Sequence, residues 1–389
     1  MNMDQYTNKL IVGNNLKITT TWPSNYFDSI VTDPPYELGF MGKSWDSSGI
    51  AYSIPLWKQL LRVSKPGAFL LCFGGTRTYH RVVCAIEDAG WEIRDCMMWL
   101  YGSGFPKSLD ISKAIDKANG VEKVVGKGRA GKTAMGQSSN WHKTNNPHEF
   151  NITEPNSALA QLWDGWGTAL KPAWEPIIVA MKPLDGTFAH NAETHKVAGL
   201  NIDDSRIDYQ GEIPNMGGRK NAKMGGEGYG FKIEGRPDEP NTQGRWPANL
   251  ILDEEAGAIL DEQTESASRF FYCAKASKKE RNLGCEKLEE KQYSHDGRNK
   301  PIENAYQRND SKASNNHPTV KPLTLMKYLC TLLKMPNPNQ VILDPFMGSG
   351  TTGMACKSLG INFIGIDQSL EYCHIARKRI DATPAEEIK

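Results

Sequence analysis

Two short apolar runs that each end in an Asp-Pro pair, one near either end of the chain, place the strongest constraint on the fold. Residues 28–31 lead into Thr-Asp-Pro-Pro-Tyr at 32–36, and residues 340–343 lead into a glycine-containing segment at 344–352. An apolar run that stops at turn-forming residues indicates a buried strand. Each motif is therefore predicted to follow the end of a strand.

The first and last parts of the chain alternate between strand-like and helix-like patterns. Apolar runs predict strands at 10–12, 29–32, 68–73, 91–100, 340–343 and 362–367. Helical spacing predicts helices at 54–63, 79–88, 323–333, 351–359 and 371–380. The run at 68–73 is apolar on both faces, as in a central parallel strand. This alternation predicts an α/β fold with a doubly wound sheet.

The middle of the chain differs, because it is rich in Gly, Ser, Asn and Lys. A clear strand at 174–182 separates two polar stretches. The predicted organisation is 1–105 as the first half of the core and 106–165 as a polar insertion. It continues with 166–185 as a returning core strand, 186–314 as a second insertion and 315–389 as the second half of the core. The insertions are either solvated loops or a recognition region.

Composition narrows the class of protein. The chain has 389 residues, 39% of them hydrophobic, and a formal net charge of +1, so it has no global basic field. No apolar stretch approaches the length of a membrane span, and the start is not that of a signal peptide. The 8 cysteines are scattered without metal-ligand spacing. We therefore expect a cytoplasmic protein with reduced thiols, no metal site and no membrane association.

The two motifs carry different chemistry. Asp33, the Pro34 carbonyl and the Tyr36 ring put a carboxylate, a fixed acceptor and an aromatic face at one strand end, which suits a planar amine. The glycine loop at 346–350 lets backbone approach a small ligand at a helix start. Either motif alone is a weak signal, because Asp-Pro pairs favour turns and glycine loops are common.

With His-Pro-Thr-Val-Lys-Pro at 317–322 as a third match, the chain resembles the amino-methyltransferases of DNA. These enzymes transfer a methyl group from S-adenosylmethionine to an exocyclic base nitrogen. The motif order resembles the circularly permuted beta group, with the catalytic motif first. The resemblance covers about residues 8–105, 170–185 and 315–382. It implies a Rossmann-like, circularly permuted methyltransferase sheet whose polar insertions form a DNA-recognition region.

The resemblance implies catalytic roles for the first motif, Asp33, Pro34, Pro35 and Tyr36. Asp33 and the Pro34 carbonyl would accept hydrogen bonds from the target amine, and Tyr36 would stack on the flipped base. In the following loop, Phe40, Met41 and Trp45 either cap the base pocket or pack on the core.

The resemblance also implies an S-adenosylmethionine site drawn from all parts of the core. Its residues would be Asn14, Thr32, Asp33, His317, Thr319, Lys321, Asp344, Pro345, Phe346, Gly348, Ser349, Gly350, Thr351, Asp367 and Gln368. Asp344 and Thr351 would lie at the methionine end. Asp367 would hold the ribose, since an acid ending the strand after a glycine-loop helix does so in nucleotide-binding folds.

Two parts of that site depart from simple side-chain binding. His317, Thr319 and Lys321 would line the cofactor mostly through backbone. The family often has an acid after its first strand, whereas this chain has amides at 14–15. The role of Asn14 therefore stays open.

The partner implied by the resemblance is double-stranded DNA, with a homodimer left open and no partner nuclease identified. Since net charge is nearly zero, phosphate contacts must be local. The first insertion supplies Lys107, Lys113, Lys117, Lys123, Lys127, Arg129 and Lys132. The second supplies Arg269, Lys275, Lys278, Lys279 and Arg281 beside Phe270, Phe271 and Tyr272.

Asp at the first motif position goes mainly with adenine N6 in this family, and Ser with cytosine N4. The resemblance therefore implies a site-specific DNA (adenine-N6)-methyltransferase, as in restriction–modification. Cytosine N4 is the alternative target. A catalytically inactive nucleic-acid-binding protein on the same scaffold is a third hypothesis, and an RNA or protein-amide methyltransferase is a fourth.

Overall fold

The computed structural model describes residues 3–38, 44–102, 104, 108–129, 149–209, 243–264, 266–274, 280–293 and 311–385. The strands are β1 (Lys9–Val12), β2 (Phe27–Thr32), β3 (Ser64–Phe73), β4 (Glu92–Leu100), β5 (Lys123–Arg129), β6 (Glu149–Glu154), β7 (Trp174–Met181), β8 (Leu250–Asp253), β9 (Tyr272–Ala274), β10 (Lys291–Tyr293), β11 (Ser311–Ala313), β12 (Val341–Asp344) and β13 (Asn362–Asp367). The helices are α1 (Asn15–Thr20), α2 (Ile54–Val63), α3 (Tyr79–Asp88), α4 (Ile111–Ala118), α5 (Ala158–Leu162), α6 (Phe188–Thr194), α7 (Glu254–Gln263), α8 (Leu323–Leu332), α9 (Thr351–Leu359) and α10 (Leu370–Ala382).

Within these residues, nine strands form one sheet in the order β1-β13-β12-β2-β3-β7-β4-β8-β9. Its pairs are parallel except those that β7 makes with β3 and β4. The late strands β12 and β13 lie between the early strands β1 and β2. The two ends of the chain therefore build one continuous sheet, as the permuted motif order predicts.

Helices cover both faces of this sheet, which confirms the doubly wound fold. On β3, Phe69, Leu71 and Phe73 pack on one face with residues of α8, α9 and α10. Leu70 and Cys72 pack on the opposite face with residues of α2 and α3. The alternating positions of a strand buried on both sides must all be apolar, which is why 68–73 carries no polar residue.

Local sequence sets the helix ends. The Ser53 side chain accepts a hydrogen bond from the Leu56 amide and starts α2, with Pro55 in the first turn. Helix α9 begins after Gly350 and ends before Gly360, both with positive φ. The predicted helices 54–63, 79–88 and 351–359 match the observed bounds.

The middle of the chain holds more regular structure than its polar composition indicates. In the first stretch, α4 contacts α5, and β5 pairs with β6 in an antiparallel hairpin. In the second, β8 pairs with β4 and β9 pairs with β8, so both strands belong to the central sheet. Strands β8 and β9 were not predicted, because runs of 4 and 3 residues are too short to show periodicity.

The position of β8 follows from the strand register. Thr32 of β2 pairs with Cys72 of β3, which pairs with Ile178 of β7, which in turn pairs with Cys96 of β4. Thr32 and Cys96 therefore lie at the same level of the sheet. Strand β8 begins beside Met98, further along β4. Strands β8 and β9 therefore extend the sheet beyond the end of β2, on the side where Asp33 follows. Across the described residues, no helix is long and apolar enough to cross a membrane.

Side chains as well as backbone bonds tie β2 to β12. The backbone pairing joins Ser29 and Ile30 to Ile342 and Leu343. At the far end, the Thr32 hydroxyl donates to Asp344 Oδ1 at 2.7 Å, and the Thr352 hydroxyl donates to Oδ2 at 2.5 Å. Burial raises the pKa of Asp344 to about 6 despite these hydrogen bonds. The Asp344 carboxylate is therefore charged at neutral pH, and both of its oxygens accept hydrogen bonds.

Thr32→Val removes one of these donors while preserving the side-chain shape. At pH 8 we expect the free energy of unfolding to fall by about 1.5–3 kcal/mol, because the hydroxyl bonds a buried charge. The loss should shrink below pH 6, where Asp344 becomes protonated. The control is Thr20→Val, since the exposed Thr20 hydroxyl bonds only within its helix. Urea unfolding at pH 5 and pH 8 tests this; equal effects of both substitutions would contradict it.

Candidate active site

The two motifs meet where the chain leaves the sheet in opposite directions. After β2 the chain returns to β3 through α2 on one face, and after β12 it returns to β13 through α9 on the other face. Ligands of open α/β sheets bind in the crevice at such a switch point. A cavity of about 590 Å³ lies there, within the range of small-molecule sites.

Most of the predicted site residues line this cavity. They are Asp33, Pro34, Pro35, Tyr36, His317, Thr319, Lys321, Asp344, Pro345, Phe346, Gly348, Ser349, Thr351, Asp367 and Gln368. The structure thus brings residues from both ends of the chain around one space. What each of them binds stays a prediction.

Three predicted residues do not line the cavity. Asn14 is the N-cap of α1, where its side chain accepts from the Lys17 amide. Its neighbour Asn15 lines the cavity instead and donates to the Pro345 carbonyl at 3.1 Å. Thr32 is fully buried against Asp344. Gly350, the last residue of the glycine loop, lies against Ala376 of α10.

Sequence reasoning missed a larger group of lining residues. They are Gly13, Asn15, Leu38, Asp46, Ser48, Ile50, Pro318, Met326, Met347, Thr352, Ser369 and Tyr372. Several come from the loop after the first motif, which no recognisable pattern marks. Glu37, with φ +53°, holds that loop in place by accepting hydrogen bonds from the Gly49 and Ala51 amides. Phe40 and Met41 lie outside the described residues, as does the side chain of Trp45.

The glycine loop is held by charged side chains on two sides. Asp367 accepts hydrogen bonds from the Gly348 amide at 2.9 Å and the Ser369 amide at 2.7 Å. The buried Arg379 donates to the Ser349 carbonyl at 2.6 Å and to the Thr351 hydroxyl at 3.1 Å. Arg379 carried no sequence signal, because a buried arginine on a helix looks like a surface one.

His317 lies beside this loop in a neutral form. Its Nδ1 is 3.0 Å from the Thr319 carbonyl, and its ring meets Tyr372 edge to face. Burial lowers the pKa of His317 to about 3, helped by the nearby charges of Arg281, Arg379 and Lys321. An imidazole without charge adds no positive potential to the cavity at neutral pH.

The other end of the cavity holds a compact cluster of charged and aromatic side chains. Lys321 Nζ lies 2.7 Å from Asp33 Oδ2, 3.1 Å from the Tyr36 hydroxyl and 3.4 Å from Glu175 Oε2. The Tyr36 hydroxyl donates to Glu175 Oε2 at 2.7 Å. Lys321 thus reaches the first motif with its side chain, rather than lining the cavity mainly through backbone as expected.

Asp33 has one carboxylate oxygen in use and one left over. Oδ2 accepts from Lys321, whereas Oδ1 is buried and has no hydrogen-bond partner among the described residues. Burial raises the pKa of Asp33, and the charge and hydrogen bond of Lys321 lower it in part. A buried acceptor without a partner is costly, which singles out Oδ1 within the cluster.

Glu175 is the member of this cluster that the sequence analysis did not select. It is the second residue of β7, and the other residues of that strand are apolar. A charged residue in a strand buried on both faces is a signal that could have singled it out.

The residues expected to contact DNA divide into three groups. Lys107, Lys132, Lys275, Lys278 and Lys279 lie outside the described residues, as does the side chain of Arg129. Arg281 turns inward and donates to the His317 carbonyl at 2.5 Å. Tyr272 also packs inward, stacked on Tyr328 with ring centroids 4.0 Å apart. These two residues therefore support the core rather than an outer surface, contrary to the expectation.

The described lysines of the first stretch are solvent-facing. Lys113 and Lys123 are more than half exposed and pair with Asp110 and Glu154. Arg269 is half-buried, with its guanidinium 5.2 Å from the Phe270 ring centroid. In the second stretch, the Arg245 guanidinium lies 4.7 Å from the Tyr209 ring centroid and 4.9 Å from that of Phe270.

Comparison with known proteins decides the family. The family model described as DNA methylase, of the N6/N4 type, matches residues 27–378, which span both motifs and everything between them. The chain belongs to the N6/N4 DNA methylase family. The type II methyltransferase M2.DpnII of Streptococcus pneumoniae is 49% identical over 71 residues, which are 18% of this chain and 26% of that protein. M.HinfI of Haemophilus influenzae is 42% identical over 71 residues, 18% of this chain and 19% of that one.

Two solved structures align with nearly the whole chain at low sequence identity. M1.HpyAVI covers 96% of this chain and 98% of its own, with 15% identity and a TM-score of 0.41. The cytosine-N4-specific PvuII DNA methyltransferase covers 95% and 85%, with 12% identity and a TM-score of 0.45.

Gly350 must be glycine because of its positive φ and because of its close contact with α10. Gly360 has only the first of these constraints, so a comparison of the two separates their effects. Gly350 has φ +85°, and a Cβ there would lie 2.7 Å from the Ala376 Cβ and 3.0 Å from its Cα; Gly360 has φ +67° and open space. Gly360→Ala should cost only backbone strain, of about 1 kcal/mol. Gly350→Ala should cost clearly more and displace the glycine loop. Equal unfolding free energies in urea would show that α10 does not constrain the loop.

Proposed function

We propose that this methylase transfers a methyl group from S-adenosylmethionine to the N6 amine of adenine in DNA, at a base flipped out of the duplex. The observation that carries the proposal is that Oδ1 of Asp33 is buried and has no hydrogen-bond partner among the described residues, in a residue that lines the same cavity as the glycine loop. An amine hydrogen is the donor that this acceptor lacks. The cavity offers room for a cofactor beside it.

The residues around the glycine loop fit a nucleoside with a positively charged sulfonium. Asp367 ends β13, as the ribose-binding acid does in related α/β folds, and its oxygens can accept further hydrogen bonds. His317 is neutral and so does not repel a cation. Two carboxylates, Asp33 and Glu175, lie against the single ammonium of Lys321 in the nearby cluster.

The chain's own residues account for the activation of the amine. An exocyclic amine is a weak nucleophile because its lone pair is delocalised into the ring. Asp33 Oδ1 and the Pro34 carbonyl would each accept a hydrogen bond from the amine. These two bonds would localise the nitrogen lone pair toward the methyl donor. S-adenosylmethionine, when bound, would supply an electrophilic methyl group. The N–C bond would form as the S–C bond breaks, S-adenosylhomocysteine would be the leaving group, and the methylated amine would release one proton to solvent. The negative carboxylate also stabilises the positive charge that develops on the amine, and positioning supplies much of the remaining rate.

Adenine is preferred over cytosine because the family's Asp variant of the first motif goes mainly with adenine. Cytosine N4 is the second candidate, since a carboxylate can accept from either amine. The intact Asp33 and glycine loop argue against an inactive binding protein. Unstacking the base costs a few kcal/mol, which Tyr36 and the remaining pocket would offset.

Duplex DNA as the substrate requires phosphate and base contacts outside the cavity. Exposed aromatic side chains next to guanidinium groups suit nucleic acid, and Phe270 and Trp246 are 46% and 65% exposed beside Arg245 and Arg206. Both belong to the part of the chain that extends the sheet past Asp33. We therefore assign DNA recognition to the two polar stretches, including the lysines that the structure does not describe.

Incubation of the protein with DNA and isotopically labelled S-adenosylmethionine, followed by mass spectrometry of the nucleosides, tests the reaction. We expect labelled N6-methyladenine. Asp33→Ala should abolish it, because the amine loses its side-chain acceptor, while the exposed Asp88→Ala serves as control. Labelled N4-methylcytosine would replace the adenine assignment, and near-normal turnover by Asp33→Ala would overturn the mechanism.

Asp367→Ala should weaken S-adenosylmethionine binding by about 1–3 kcal/mol, through lost hydrogen bonds to the ribose. Because Asp367 also holds the Gly348 amide, Asp367→Asn is the matched variant: it keeps one acceptor oxygen and should lose less affinity. Isothermal titration calorimetry measures both. Unchanged affinity in the Ala variant would remove Asp367 from the cofactor site.

A further inference from the structure

The ammonium group of Lys321 is saturated by the first motif and its neighbour. An ammonium has three N–H donors, and Lys321 Nζ lies within 3.4 Å of Asp33 Oδ2, the Tyr36 hydroxyl and Glu175 Oε2. Its charge also lies 5.2 Å from the Tyr36 ring centroid and 4.8 Å from that of Phe73. Two hydrogen bonds and an ion pair therefore direct this ammonium toward the first motif and Glu175.

Glu175 completes the arrangement from the other side. It accepts the Tyr36 hydroxyl hydrogen at 2.7 Å, while the same hydroxyl oxygen faces Lys321 at 3.1 Å. The phenol is therefore fixed as both donor and acceptor. A second bond, from the Thr78 hydroxyl to the Tyr36 carbonyl at 2.6 Å, holds the backbone of the same residue.

We propose that Lys321 and Glu175 are positioning residues for the amine-binding groups: Lys321 occupies Asp33 Oδ2 and so leaves Oδ1 as the acceptor for the target amine, and Glu175 orients Lys321 and the Tyr36 ring. This inference rests on the proposed function, because it concerns how the amine is received. It moves Lys321 from the cofactor site, where the motif alone places it, to the base site.

The arrangement makes a definite electrostatic prediction. The charge of Lys321 lowers the pKa of Asp33, and that of Glu175 raises it, both against the larger raising effect of burial. The pKa of Lys321 itself is lowered by burial, but Asp33 and Glu175 outweigh burial and leave it above its ordinary value. Lys321 thus stays charged and opposes the protonation of Asp33.

Three other titratable groups lie near this cluster, namely Asp344, Cys72 and Tyr101. Asp344 and the Cys72 thiol lie close enough to Asp33 for its charge to raise their pKa values, after burial. The pKa of Tyr101 is raised to about 12 by burial and Glu175, so Tyr101 stays neutral. Asp344 also titrates near pH 6, but it has the same environment in all the variants below.

The pH dependence of methyl transfer separates positioning from a general structural role. In Lys321→Met, kcat should fall roughly 100-fold at neutral pH with S-adenosylmethionine affinity unchanged, because only the amine-binding groups are misplaced. The acidic limb of kcat/KM for DNA should move up by about one pH unit or more, since an opposite charge has been lost. In Glu175→Gln, which keeps an acceptor for Tyr36, the same limb should move down.

Exposed Lys58→Met and Glu87→Gln make the same chemical changes on α2 and α3 and should leave the limb in place. Opposite shifts in the two cluster variants support the proposal. Absent or same-direction shifts, or weakened S-adenosylmethionine binding as the main defect of Lys321→Met, overturn it.

A second measurement does not depend on activity. In Lys321→Met, the pKa of Asp33 in the folded protein should be raised further above its unfolded value of about 4. The folded state then gains stability from the protonated Asp33 below pH 4, and this gain is lost as the pH rises through the folded pKa. The melting temperature of Lys321→Met should therefore fall further below that of the wild type between pH 5 and pH 8. Adding Glu175→Gln should narrow the gap.

These two readouts fail separately. If the wild-type protein methylates no nucleoside, the proposed function is wrong, and the melting temperatures still decide whether Lys321 and Glu175 act on Asp33. The positioning roles of Lys321 and Glu175 are overturned if the melting-temperature difference between Lys321→Met and the wild type does not change with pH. They are also overturned if adding Glu175→Gln does not reduce that difference.

Discussion

The junction between β2 and β12 is the contact on which the rest of the structure depends. The two strands come from opposite ends of the chain, and few backbone pairs join them. Asp28 accepts from the Val341 amide at one end, and Asp344 accepts from Thr32 at the other. Because Asp33 follows Thr32 directly and the glycine loop follows Asp344, the same buried bonds that close the sheet also set the distance between the two halves of the site. A shift of one strand would separate them.

Buried charge organises the site at both ends, in different ways. At the glycine loop, Asp367 and Arg379 are used against backbone groups, so their charges fix the loop and help to keep it in its positive-φ conformation. At the amine end, Lys321 and Glu175 act on side chains and leave one oxygen of Asp33 free. Desolvated charges are retained in proteins when their partners are satisfied. Here the unsatisfied oxygen belongs to a residue that lines the cavity.

Much of the fold and about half of the lining residues were predictable from the sequence. Long apolar runs such as 68–73 have a single compatible environment, and glycine or proline marks their ends. Strands β8 and β9 escaped prediction because they are too short to show a pattern, although they lengthen the sheet beside the site. Arg281 and Tyr272 were expected on an outer surface, but each found a partner in the core, the His317 carbonyl and the Tyr328 ring.

The sequence by itself determined the motifs, their order and thus the kind of chemistry, because Asp33, Tyr36 and the glycine loop are contiguous local patterns. Only the tertiary structure decided which groups act together. Glu175 lies 139 residues from Tyr36 and Lys321 lies 288 residues from Asp33, yet their side chains are within hydrogen-bond distance. Such a cluster depends on strand order and register, which local propensity does not encode. The unused oxygen of Asp33 becomes visible only once its other oxygen has found its partner.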